Sequence, residues 1–192
     1  MEYAERVSFG KLGQDIIIGF LERHFGYKFE AGERNDSVFN VELIEELENC
    51  EFIPEKKTGF KKHGNLLRFR EGKNIFDLTM PDIFMSRNSS SGFYWVEAKA
   101  HTRADTRLII DQKNFDDYAL LYTKFTRQDF YVVCLNPSEN EETHNIYWCE
   151  FGVLLNNKPQ ISTMFGNPVY IWDMKSVRNR LNRYPIYTEQ YK

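Results

Sequence analysis

Two carboxylates and an ammonium interrupt the most apolar part of this chain. In the segment MPDIFMSRNSSSGFYWVEAKA, Met80 to Ala100, Asp82 opens one apolar run, while Glu97 and Lys99 break another, FYWVEAKA. Side chains alternate along a strand, so Glu97 and Lys99 project from one face and Ala98 from the other. If the segment folds as a hairpin centred near residues 89–90, paired residues have numbers summing to about 179, and Asp82 lies opposite Glu97. Directly opposed residues have Cβ atoms about 4.5–5.5 Å apart. Two partly buried carboxylates at that separation repel each other unless positive charge lies between them. Magnesium is one such charge, taking one or two carboxylates and completing its shell with water and phosphate oxygens. Lys99 can then orient or help deprotonate an attacking water, or offset phosphate charge. The plainer account is a solvent-facing, salt-bridged strand surface. Phe93 and Trp95 share the face of Glu97 and argue that it is covered.

The flanking sequence supplies elements to position these groups. LGQDIIIGFLERHF, Leu12 to Phe25, has helical periodicity, with Gly26 placed as a C-terminal stop. VELIEELENCEF (Val41–Phe52) patterns as a second, acidic helix, and Glu55–Asn65 as a basic loop. LLRFR (Leu66–Arg70) and NIFDLTMPDIFM (Asn74–Met85) pattern as strands around a Glu71-Gly72-Lys73 turn, and Gly92–Ala100 as the next strand. Asp111–Phe125 is the clearest helix. Asp111 is its expected N-cap, and Phe115, Tyr118, Ala119, Tyr122 and Phe125 form its apolar stripe. Phe130–Asn136, Asn145–Phe151 and Val169–Trp172 pattern as strands, and VRNRLNRY as a C-terminal helix. The expected fold is one α/β domain over residues 1–192 with a mixed central sheet.

Pro81-Asp82, fourteen intervening residues, then Glu97-Ala98-Lys99 resembles the signature of the PD-(D/E)XK nucleases. That superfamily includes restriction endonucleases, archaeal Holliday-junction resolvases and repair nucleases. The resemblance implies a restriction-endonuclease-like core of helix, three-stranded meander, helix and strand, spanning about residues 11–136, with residues 137–192 completing the domain through strands and a short helix. It implies Asp82, Glu97 and the Ala98 carbonyl as ligands of Mg2+, with Mn2+ as a substitute, and Lys99 as the catalytic lysine. Many members carry an acid on the first helix, where this chain has Gln14 after Gly13. Many also place a glutamine on the helix after the E-x-K strand, a place Gln112 fills without the strict Q-x-x-x-Y spacing. Gln14 and Gln112 join the expected catalytic set on that basis, the alternative being core amides.

The expected activity is metal-dependent hydrolysis of DNA phosphodiester bonds by an endonuclease of restriction, homing, resolvase or repair type. A homodimer would suit cutting of both strands. The rival is a catalytically weak or inactive module of the same fold that binds nucleic acid or a protein. A further alternative is an unrelated α/β enzyme. Lys56, Lys57, Lys61 and Lys62 in the basic loop, and Arg103 and Arg107 after the E-x-K strand, are the candidate phosphate contacts.

Composition bounds these readings. The net charge of −3 combines 5 Lys/Arg against 13 Asp/Glu in residues 1–55 with 20 against 15 in the remainder, so a polyanionic partner suits the second portion better. Thirty aromatic residues among 192 are too many for a disordered chain. Cys50, Cys134 and Cys149 form no CxxC pair, which disfavours a zinc ribbon, a cluster or a disulfide scaffold and fits a cytoplasmic protein. MEYAERVSFGKL has no apolar stretch of the secretory kind, and no run is long enough to suggest a membrane span. There is no Gly-rich nucleotide cradle.

Overall fold

A computed structural model describes residues 13, 15–23, 27–28, 38–39, 47, 49–53, 56–58, 61–63, 65–87, 93–101, 107–125, 129–137, 143–173 and 182–187. Helix α1 covers residues 15–23. Strands β1 (Tyr27–Lys28), β2 (Val38–Phe39) and β3 (Cys50–Ile53) follow, then β4 (Lys56–Thr58), β5 (Lys61–His63), β6 (Leu66–Glu71) and β7 (Asn74–Thr79). The middle of the chain holds β8 (Ile83–Arg87), β9 (Phe93–Ala100), β10 (Arg107–Asp111) and helix α2 (Gln112–Lys124). Strands β11 (Asp129–Pro137) and β12 (Thr143–Glu150), helix α3 (Phe151–Leu155), and strands β13 (Gln160–Met164), β14 (Asn167–Asp173) and β15 (Asn182–Tyr187) complete it. Among the described residues, no helix is long and apolar enough to cross a membrane.

The principal sheet is mixed, in the order β1–β8–β9–β11–β12–β15, with β2 also paired to β8. β9 and β11 run parallel and every other pair on that path is antiparallel. A parallel pair requires a crossover, and β10 with α2 provides it. The period-2 alternation of β8, β9 and β11 sends their side chains to two cores. Ile83, Tyr94, Val96, Val133 and Leu135 pack on one face with Ile17, Phe20 and Leu21 of α1. Phe84, Trp95, Phe130, Val132 and Cys134 pack on the other, beneath Phe115, Tyr118 and Leu121 of α2 and Phe151 and Leu154 of α3. Phe84 and Trp95 are register partners and stack with centroids 4.1 Å apart.

α1 lies close on the sheet because Gly13 has no side chain. A Cβ built there would fall 2.4 Å from the Ala100 Cβ at the end of β9. Gly13→Val is therefore expected to lower stability by about 1–3 kcal/mol through overpacking, read in urea unfolding.

Five sequence expectations are corrected here. Asn74–Met85 is not one strand: β7 belongs to a separate sheet, β3–β6–β7, and the chain enters the principal sheet only at Ile83. Proline has no N–H for a ladder, so the run breaks at Met80-Pro81-Asp82. The predicted acidic helix ends instead in a strand, because Cys50–Ile53 pairs with Leu66–Phe69; residues 41–46 lie outside the described set. The basic loop is a small hairpin, β4–β5, whose side chains are also outside that set. Of the expected C-terminal helix VRNRLNRY, residues 182–184 are strand, part of Asn182–Tyr187, and residues 177–181 lie outside the described set. The short helix of this region is α3, whose first residue was expected to end a strand.

Candidate active site

The β8–β9 hairpin sets the site. Its observed pairs, Ile83 with Val96 through Ser86 with Phe93, have the register anticipated from the loop length. Continued by one residue, that register places Asp82 opposite Glu97, on the Trp95 face beneath α2. The two carboxyl groups are near enough for the charge of Glu97 to act on Asp82. The next pair along would be Ala98 with Pro81. Pro81 can give no N–H, and the Ala98 N–H is taken instead by Asp82 Oδ2 at 3.0 Å. The N–H and C=O of one residue in a strand face the same edge, so the ladder brings no N–H from residue 81 to the Ala98 carbonyl either.

Glu97 is 2 % exposed, and its two oxygens have different partners. Tyr118 Oη donates to Oε2 at 2.7 Å, and Lys99 Nζ pairs with Oε1. The Lys99 side chain is 32 % exposed and Asp82 is half-buried, so the group opens to solvent on their side. α2 holds the arrangement from above. Asp111 caps the helix by accepting from the Lys113 N–H. Asp117, beside Tyr118, accepts the Thr79 N–H at 2.9 Å and so fixes the point at which β7 ends and the chain turns toward Asp82. Met80 N–H donates to the Asn65 carbonyl and secures the other side of that turn.

The electrostatics follow from burial with incomplete neutralisation. Burial and then the charge of Glu97 push the Asp82 carboxyl up to about 7, against the opposing pull of Lys99 and the Ala98 N–H. Burial alone would lower Lys99, but Glu97 and Asp82 outweigh it and hold the ammonium above its ordinary range. Burial, then Glu97 and Asp82, raises the Tyr118 phenol, which therefore stays a donor. Cys134 lies beside Lys99 in the β9–β11 register; its burial pushes the thiol up to about 12, which removes thiolate chemistry from this site.

The donor set suits a hard cation. Asp82 and Glu97 carboxylates and the Ala98 carbonyl are all oxygen donors, and two carboxylates match the number magnesium uses. Among the described residues, no group of three or more His, Cys, Asp or Glu gathers where it could hold a metal ion, so beyond the two carboxylates the shell would draw on the Ala98 carbonyl, water and substrate. Compared with known protein families, curated proteins and solved structures, the chain finds no match in any of the three.

The remaining candidates are distributed differently. Gln112 is the half-buried first residue of α2, and among the described residues no hydrogen bond joins it to Asp82, Glu97 or Lys99. The helix reaches the carboxylates through Tyr118 instead. Sequence reasoning placed Tyr118 on the inward stripe without giving it this role, since a buried tyrosine at helical spacing looks like core. Gln14 and Arg103 lie outside the described residues, as do the side chains of Lys56, Lys57, Lys61 and Lys62. α1 packs on the sheet face opposite Glu97 and Lys99. Arg107 is exposed at the start of β10.

Tyr118→Phe removes a hydrogen bond to a buried carboxylate without opening a cavity. We expect it to cost about 1.5–3 kcal/mol, seen as a lowered midpoint in chemical unfolding, because Glu97 Oε2 loses its described donor.

Proposed function

We propose that this protein is a metal-dependent endonuclease that hydrolyses DNA phosphodiester bonds, built on a PD-(D/E)XK-like core. The observation that carries the reading is the β8–β9 register, which when continued sets Asp82 opposite Glu97, with the Lys99 ammonium held on Glu97 and partly open to solvent. The order of elements supports it. α1, the antiparallel set β1–β8–β9, α2 and the parallel strand β11 give helix, three strands, helix, strand. The first strand of that set is Tyr27–Lys28 rather than the expected Leu66–Arg70, and strands β3 to β7 form an insertion before Asp82.

In this reading Asp82, Glu97 and the Ala98 carbonyl would hold Mg2+, with Mn2+ able to replace it. The cation would offset phosphate charge and make water a stronger acid. Lys99 is held protonated by its carboxylate neighbours, so its contribution is charge stabilisation at the phosphate rather than proton abstraction. Tyr118 fixes the Glu97 rotamer, and the Ala98 N–H fixes that of Asp82. The test is incubation with supercoiled, linear and branched DNA in Mg2+, Mn2+ or EDTA. Metal-dependent cutting that disappears in Asp82→Ala is expected, and cutting that persists in that variant overturns the assignment. An absence of cutting on every substrate with either metal would favour a binding module of the same fold.

A further inference from the structure

The β13–β14 hairpin is built against its own local preferences. Met164 pairs with Asn167, leaving Phe165-Gly166 as a two-residue loop. Both loop residues have positive φ, 51° for Phe165 and 83° for Gly166, the pattern of a type I′ turn. Asn-Gly is the favoured sequence there, because asparagine enters the left-handed region readily and a bulky side chain does not. Phe165 accepts that strain and is also 93 % exposed, so its ring contributes almost no burial in return. Ile161 at 67 % and Met164 at 38 % are also exposed on β13, on opposite faces of the strand. A strained, exposed aromatic residue without a ring contact among the described residues points to a ligand.

The surroundings indicate which ligand. From Phe151 to Trp172 the chain has no carboxylate and one lysine, Lys158, although 28 of its 192 residues are acidic. The exposed polar groups there are amides and hydroxyls: Asn156, Gln160, Thr163 and Asn167. Such a surface does not repel a polyanion and offers hydrogen bonds to phosphate and sugar. Its position suits a substrate seated at the carboxylate pair. β14 runs antiparallel to β10 with Val169 opposite Asp111, so the turn at residues 165–166 lies beyond Asp111, the N-cap of α2. α2 connects the two: Asp111 at its N-terminus stands beside the hairpin, and Tyr118, about two turns further along, holds Glu97.

We propose that this hairpin is a DNA-contacting element whose Phe165 ring stacks on an unpaired or unstacked base of the strand that the carboxylate site cuts. This rests on the nuclease reading above and adds to it a substrate class, duplex with exposed bases at a mismatch, nick or branch. Aromatic stacking on bases is tolerant of sequence and is lost on truncation of the ring.

Phe165→Asn tests it without the ambiguity of a damaged fold, because the Asn-Gly turn relieves strain. The variant is expected to melt about 2 °C higher while binding a mismatched duplex about tenfold more weakly, measured in Ca2+ to suppress cutting. The wild type should raise the emission of a fluorescent adenine analogue placed at the mismatch, and the variant should not. Equal DNA binding by wild type and variant, with wild-type cutting intact, overturns the hairpin role and leaves the nuclease reading standing. Binding that depends on Phe165 in a wild type that cuts nothing supports the hairpin role and removes the nuclease reading. A dimeric wild type and monomeric variant with equal DNA binding per chain would assign the surface to a second copy and overturn the proposal.

Discussion

If the protein is the metal-dependent nuclease proposed above, Lys99→Met is expected to lower DNA cleavage by about 10²–10³-fold, the usual loss when one preorganised charge at a developing oxyanion is removed. It also destabilises the metal-free protein. Glu97 is almost fully buried and its charge acts on Asp82, so deleting the ammonium leaves carboxylates with less positive charge nearby. Breaking a buried ion pair in this way costs about 3–5 kcal/mol. Lys99 is one-third exposed and water screens part of its charge, so about 2 kcal/mol is the expected loss here. The two effects separate on adding Mg2+. A cation held by Asp82 and Glu97 replaces the missing charge, so thermal stability of the variant should recover more steeply with Mg2+ than that of the wild type, while cleavage does not return. Lys99→Arg provides the control, keeping the charge and the stability but presenting a planar guanidinium that misplaces its donors. Cleavage at wild-type rates by Lys99→Met, assayed on supercoiled DNA, would remove Lys99 from the chemistry.

The second large effect is a dependence of metal-free stability on pH with an unusual sign. Most carboxylates with favourable native contacts are depressed and stabilise a fold as pH rises. Asp82 is raised to about 7, above the roughly 3.9 of an unfolded aspartate. The folded state therefore binds the extra proton. Its stabilising contribution is complete below the unfolded value and is lost as pH rises through about 7. Three pKa units correspond to about 4 kcal/mol, and partial exposure of Asp82 reduces the expected contribution to about 2 kcal/mol. Unfolding of the wild type in EDTA should thus show a loss between pH 4 and 7 that is absent from Asp82→Asn, whose amide carries no charge at any of these pH values. Mg2+ should remove the difference above pH 7 by stabilising the ionised pair. Parallel pH profiles for the two proteins would mean that Asp82 does not carry the proton.

Much of the site was legible because short-range chemistry controls it. The loop between Met85 and Phe93 fixes a hairpin register, and a register error of one residue would turn Glu97 and Lys99 to the other face. Asp111 and the stripe through Phe115 and Tyr118 were equally plain, as a cap and a 3.6-residue period. The failures lie where distant partners override local pattern. Cys50–Ile53 continues an acidic helical pattern but finds β6 to pair with. Asn74–Met85 reads as one apolar strand despite Pro81, because the break there depends on a second sheet that a single run does not reveal. RLIID, Arg107 to Asp111, passed unnoticed as a strand because its sheet partner is β14, about sixty residues away in sequence. Tyr118 was assigned its place but not its hydrogen bond, since burial of an aromatic ring and burial of its hydroxyl leave the same mark on a sequence.

The break at Pro81 has a mechanical meaning. Glu97 is mounted inside a strand that has neighbours on both sides, whereas Asp82 belongs to neither ladder and hangs in the joint where one sheet hands the chain to another. The pair thus resembles a vice with one fixed jaw and one set on a short link. The Asp117 bond to Thr79 and the Asn65 bond to Met80 are the screws that set that link. Wear on those screws, far from any reacting atom, would change the opening of the jaws before it changed the fold.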